Sequence, residues 1–163
     1  MITLYHGSNM RIASIDLNQC NPYKDFGQAF YLSADKNQAM DIAIARVDIF
    51  GGEPVVNDYW FDENMLTDGI MSFKSFDGYT EEWADFVYLN RDESIVPPYK
   101  HPYDVVYGPI ANDRVGLQIR NLREGNIDKK EFLRRLKYMK GITFQYAFCT
   151  QTAIEKLLPY ECK

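Results

Sequence analysis

The chain predicts an α+β fold, and three observations lead there. Its β-rich runs fall unevenly, in the order strand, strand, helix, strand, helix, strand, helix, strand, helix, which is too irregular for a doubly wound parallel sheet. Cap and turn signals separate these runs from segments with helical spacing. Hydrophobic residues at 46% and aromatics at 15% of 163 residues are ample for one sizeable core and argue against disorder, so a single domain over residues 1–163 is expected.

In chain order, residues 1–5 read as the first strand, which stops at His6-Gly7-Ser8. Residues 9–20 are irregular, with Ile12, Ile15 and Leu17 placed to pin a loop on the core, and residues 21–25 form a loop. Asp25-Phe26-Gly27 turns into a second strand at Phe30-Tyr31-Leu32. Ser33 or Asp35 caps a helix starting near Lys36, which carries Ala39, Ile42, Ala43, Arg46 and Val47 at helical spacing and ends at Gly51-Gly52. Residues 54–61 alternate as a strand, whereas 62–77 are mixed. Thr80 suits the N-cap of a helix to about Asn90, with Glu81 and Glu82 complementing its dipole. Pro97-Pro98 and Pro102 mark an exposed loop, and residues 103–110 form a continuous apolar run typical of an interior strand. Ile127-Asp128 leads into a basic amphipathic helix through Leu133 and Leu136. Residues 142–149 read as a strand, and Thr150 caps a last short helix to Leu158.

Composition narrows the function classes. A net charge of -5 argues against non-specific nucleic-acid binding, which rests on clustered Lys and Arg. The basic residues from Arg114 to Arg135, among them Arg120, Arg123, Lys129, Lys130, Arg134 and Arg135, read as a solvated helix face. Cys20, Cys149 and Cys162 are far apart, and His6 and His101 are the only histidines, so neither a zinc site nor a disulfide framework is expected. Cys149 reads as a small buried hydrophobe within a strand, not as the nucleophile of a thiol hydrolase. No run approaches the roughly 20 apolar residues of a membrane span, and the N-terminus enters a strand pattern directly, so the expected location is the cytoplasm.

The chemistry-bearing residues gather at two strand ends. His6, Gly7 and Ser8 offer an imidazole, a tight backbone and a hydroxyl, and Tyr31 stands on the next strand. Such a set can grip a flat, polar, sugar-containing ligand. Asp104, Asn112 and Asp113 flank the run at 103–110, where polar groups at the end of a buried strand often build sites, although Asn112-Asp113 after Gly108-Pro109 also reads as an ordinary turn. Asn90-Arg91 is a candidate for phosphate or partner contact, and Arg11 for contact with a diphosphate.

His6-Gly7-Ser8, then Phe26-Gly27 with Ala29-Phe30-Tyr31-Leu32-Ser33, then a helix, resembles the start of the ADP-ribosyltransferase fold of the diphtheria-toxin and poly-ADP-ribose-polymerase type. A narrower resemblance, to a bacterial branch often encoded beside a small antitoxin-like partner, continues through Trp83, Phe86 and Asn90-Arg91, through residues 103–113, and through Gln145 to Leu157. It implies a split β-sandwich of mostly antiparallel sheets with surrounding helices and a cleft for NAD, bound as a substrate without a metal. It further implies that His6 contacts the adenosine-side ribose, that Gly7 and Ser8 bind the nicotinamide amide, that Gly27 lines the NAD cleft with them, and that Tyr31 stacks on nicotinamide. Ala29 stands where many relatives have a second glycine.

Gln145 is the important departure, because the best-known active members have a glutamate there. An amide bonds a ribose hydroxyl but cannot neutralise a developing cation. Gln145 suffices for single transfer or hydrolysis, another acid supplies the charge, or the chain binds NAD without turning it over. Asp113 is the preferred auxiliary acid, with Asn112 orienting substrate. The implied activity is mono-ADP-ribosyl transfer to an unknown acceptor or NAD hydrolysis, with a toxin role and an antitoxin-like partner; nucleic acid enters only as acceptor. The competing readings are a partner-regulated NAD-binding module and an interaction domain whose aromatics are simply core.

Overall fold

A computed structural model describes residues 1–139 and 141–160. Its described residues form two sheets with helices around them, an α+β architecture. The first sheet has the order β1 (Ile2–Ser8), β3 (Val55–Phe61), β7 (Leu158–Pro159), all antiparallel. In the second, β2 (Phe30–Leu32), β6 (Phe144–Phe148), β5 (Val105–Pro109) and β4 (Phe73–Ser75) lie side by side, and only β4 with β5 is parallel. One antiparallel bridge ties the sheets: the Tyr5 and Ser33 backbones exchange two hydrogen bonds of 2.8 Å.

The second sheet is buried on both faces because successive residues alternate sides. Phe30, Leu32, Val105 and Phe148 meet Leu4, Tyr59 and Phe61 of the first sheet. Val106 and Ala147 point the other way, onto Phe26, Phe76, Trp83, Val115, Ile119 and Phe132. That two-sided burial is why residues 103–110 are apolar without alternation.

Local chemistry sets the helices. In α1 (Lys36–Phe50), Asp35 accepts from the Asn37 N–H at the N-cap, and Gly51 takes φ 74° at the C-cap. Its inward face is Ala39 and Ala43, while Ile42, expected among the helical positions, is 43% exposed. Thr80 caps α2 (Glu81–Arg91) by accepting from the Trp83 N–H, and the Trp83 indole donates to the Pro109 carbonyl at 3.1 Å. Asp128 caps α4 (Lys129–Lys137).

Three expectations need correction. β1 does not stop before His6; it runs to Ser8 because β3 pairs with it as far as Val55. Asn112-Asp113 is no ordinary turn. The Asn112 side chain accepts from the Val115 N–H at 3.0 Å and opens α3 (Asp113–Arg123), which buries Val115 and Ile119 one turn apart. The last helix does not reach Leu158, since α5 (Gln151–Ile154) ends as Leu157 turns into the core and Leu158–Pro159 pairs with β3.

Candidate functional site

Asp25, in the turn before β2, is the hub of the polar cluster nearest Gln145. Its carboxylate is buried, accepting from the Ala111 N–H at 2.9 Å and the Gln145 side-chain amide at 3.4 Å, and it lies 3.3 Å from the Arg91 guanidinium. Burial raises its pKa above the ordinary carboxylate value, and the Ala111 hydrogen bond and Arg91 act against that rise. Sequence reasoning reads Asp25 only as a loop residue. The one local signal was an acid directly before a buried Phe-Gly turn, and its meaning depends on strands far along the chain.

Tyr31 and Gln145 project from the same face of the second sheet, because Tyr31 pairs with Ala147, two residues from Gln145. The Tyr31 hydroxyl donates to the Gly27 carbonyl at 2.7 Å and accepts from the Phe26 N–H at 3.1 Å. Burial, reinforced by the negative charge of Asp25, lifts the phenol well above its ordinary pKa and keeps it neutral. Gly27 has φ 81°, and a Cβ there would lie 2.8 Å from Asn90 Oδ1, so glycine suits both the conformation and the space.

His6 belongs to the other side. Its ring stacks on Phe30 at 4.1 Å, towards the space between the sheets, while Nδ1–H donates to the Tyr31 carbonyl at 2.7 Å. Burial lowers its pKa to about 4, so the imidazole is neutral and Nε2 is left as an acceptor. Ser8 is buried on the same strand. Gly7 faces α1 so closely that a Cβ would overlap the Ala39 backbone. Arg11 is exposed beyond β1, near Tyr59.

The other acids lie elsewhere. Asp104 accepts from the Ser72 N–H and hydroxyl and from the Thr150 hydroxyl at 2.7 Å. It sits beside Cys149, four residues and about 13 Å along β6 from Gln145. Asp113 is exposed on the first turn of α3, and among the described residues no hydrogen bond links it to Gln145. Asp113 and Asn112 instead border a hollow of about 330 Å³ that Arg91, Ala111 and Arg120 also line. The structure thus joins Tyr31 and Gln145 through the surroundings of Asp25, sets His6 on the opposite face of β2, and leaves Arg11 apart.

Over residues 2–159 the chain matches the family described as "Protein of unknown function (DUF3990)", and it belongs to that family. No curated protein and no solved structure gives a significant match.

Proposed function

We propose that this DUF3990 protein binds NAD and breaks its nicotinamide–ribose bond, passing ADP-ribose to an acceptor or to water, within an ADP-ribosyltransferase-like split β-sandwich. The observation that carries the reading is the Asp25 carboxylate against the Gln145 amide. It supplies negative charge beside the position where the resembling enzymes have a glutamate. When the glycosidic bond breaks, its electron pair leaves with nicotinamide and neutralises the pyridinium, while positive charge spreads over C1′ and the ribose ring oxygen. A fixed buried carboxylate stabilises that cation, and Gln145 holds a ribose hydroxyl. Acceptor or water then attacks C1′ and gives up its proton to solvent water. On the opposite face of β2, the neutral His6 Nε2 is the acceptor for a ribose hydroxyl that reaches between the sheets, and the nicotinamide contact is assigned to Tyr31 by the resemblance alone. A small antitoxin-like protein is the proposed regulator.

A second reading, an NAD-binding module without turnover, draws on Tyr31. Its hydroxyl is committed to the Phe26–Gly27 backbone, which keeps the ring packed in the loop. Following free nicotinamide with purified protein and NAD separates the two. Release that collapses in Asp25→Asn, Gln145→Ala and His6→Ala supports cleavage. NAD binding without release, even with lysate as acceptor, transfers the assignment to the module, and absence of binding removes both.

A further inference from the structure

Where the end of α2 meets α3, the 330 Å³ hollow adjoins a second of about 180 Å³, and Arg91, Gly116 and Arg120 border both. Together they form one groove. Arg123 lies at its far end, one turn beyond Arg120 on the same face of α3. Three guanidinium groups therefore converge on it, although sequence reading takes Arg120 and Arg123 for a solvated face and sees no link to Arg91.

Arg91 is only partly matched where it stands. Its Nη1 is buried, makes no aligned hydrogen bond and is held as an ion pair 3.3 Å from Asp25 Oδ1, while about a third of the side chain is exposed and borders both hollows. A guanidinium matches phosphate oxygens in pairs, so three arginine side chains bordering one groove suit such an anion. Gly116 leaves the α3 wall bare beside this guanidinium. Glu93 and Asp113, both exposed, border the groove and restrict it to compact anions, and the net charge of -5 opposes a long polyanion. The larger hollow has the volume of a small-molecule pocket, and Leu117 and Tyr23 provide apolar wall for an organic group.

We propose that Arg91, Arg120 and Arg123 bind the phosphates of a small phosphate ester of the nucleoside diphosphate class. The choice of a nucleotide rests on the NAD reading, whereas the anion preference rests on the groove. Because Asp25 touches both Arg91 and Gln145, the bound phosphate lies one carboxylate away from the proposed ribose site. It belongs either to NAD itself or to a phosphorylated acceptor.

Calorimetric titration with ADP, at low and high salt, tests this on the full chain. The probe variant is Arg120→Ala with Arg123→Ala, both exposed; because Arg123 also lies over the Tyr88 ring at 5.4 Å, its urea unfolding is compared with that of the wild type, and Arg134→Ala on α4 is the charge control. Affinity is expected to fall about 10-fold or more in the double variant, to fall with salt in the wild type, and to hold in the control. Displacement of ADP by NAD assigns the groove to the dinucleotide's own diphosphate; simultaneous binding of both assigns it to a second ligand. No ADP binding, or equal binding by the double variant, overturns the proposal. Nicotinamide release with unaltered ADP binding removes the groove alone, and arginine-dependent ADP binding without release removes the cleavage reading alone.

Discussion

The Gly7 backbone lies so close to Ala39 that a Cβ built on Gly7 would fall 1.9 Å from the Ala39 carbonyl oxygen and 2.8 Å from the Ala43 nitrogen. Helix α1 therefore rests directly on β1, glycine against two alanines. Because the obstacle is helix backbone, no rotamer change relieves it. Gly7→Ala should displace α1 and cost about 3 kcal/mol, read as a lower urea midpoint at unchanged slope. A loss under half of that would mean that α1 is free to slide.

The pairing of Asp25 with Arg91 makes a signed prediction. The folded Asp25 pKa is raised above 3.8, so its ionisation opposes folding, and stability from this group is lost as pH rises through that range. Arg91 offsets part of the effect. In Arg91→Ala the carboxylate loses its counter-charge, at a cost of about 2 kcal/mol at pH 8 once partial exposure of Arg91 is allowed for. Asp25 escapes that cost by taking up a proton, so the deficit should shrink towards pH 4.5. Unfolding free energies at both pH values check it; an equal deficit at each would show that Arg91 acts through packing alone.

The readable parts of the fold are those whose cause is local. Asp35, Thr80, Asp128 and Thr150 announce their helices because each cap accepts from an N–H two or three residues on. Helix α3 stays hidden because Gly108-Pro109 and Asn112-Asp113 carry turn chemistry and Gly116 interrupts the helical composition. Strand β7 is two residues long and exists only through β3, which no window of sequence contains. The site divides likewise. Tyr31 and Gln145 stand out by motif, but the acid beside them is Asp25, which lies 120 residues from Gln145 and reaches it only through sheet pairing. Asp104 and Asp113 flank the right strand, yet chain proximity does not say which end of β6 they face.

Cys149 should be inert in the folded protein. Burial, helped by the negative charge of Asp104, pushes its thiol up to about 12, leaving about 10⁻⁴ as thiolate at pH 8. Peptide-resolved iodoacetamide labelling at that pH should leave Cys149 unmodified until denaturant is added. Native labelling at the rate of a free thiol would reopen a nucleophilic role. Cys162 lies outside the described residues.

His6 predicts a pH profile of opposite sign to Asp25. Its pKa falls from 6.5 to about 4 on folding, so between those values the unfolded chain binds the more protons. The stability that comes from keeping the ring neutral is whole above pH 6.5, declines as pH drops towards 4, and then levels. Allowing for partial exposure, the loss is on the order of 2 kcal/mol. His101, also lowered by burial, acts in the same direction, so the wild-type slope alone does not isolate His6. His6→Gln keeps a donor for the Tyr31 carbonyl but cannot titrate. Between pH 7 and 4.5 the wild type should therefore lose about 2 kcal/mol more than His6→Gln in urea unfolding. Parallel profiles would mean that folding leaves the imidazole pKa where it is in the unfolded chain, so that the native ring takes up a proton as pH falls through 6.5, and its assignment as a ring held neutral by burial would fall with that result.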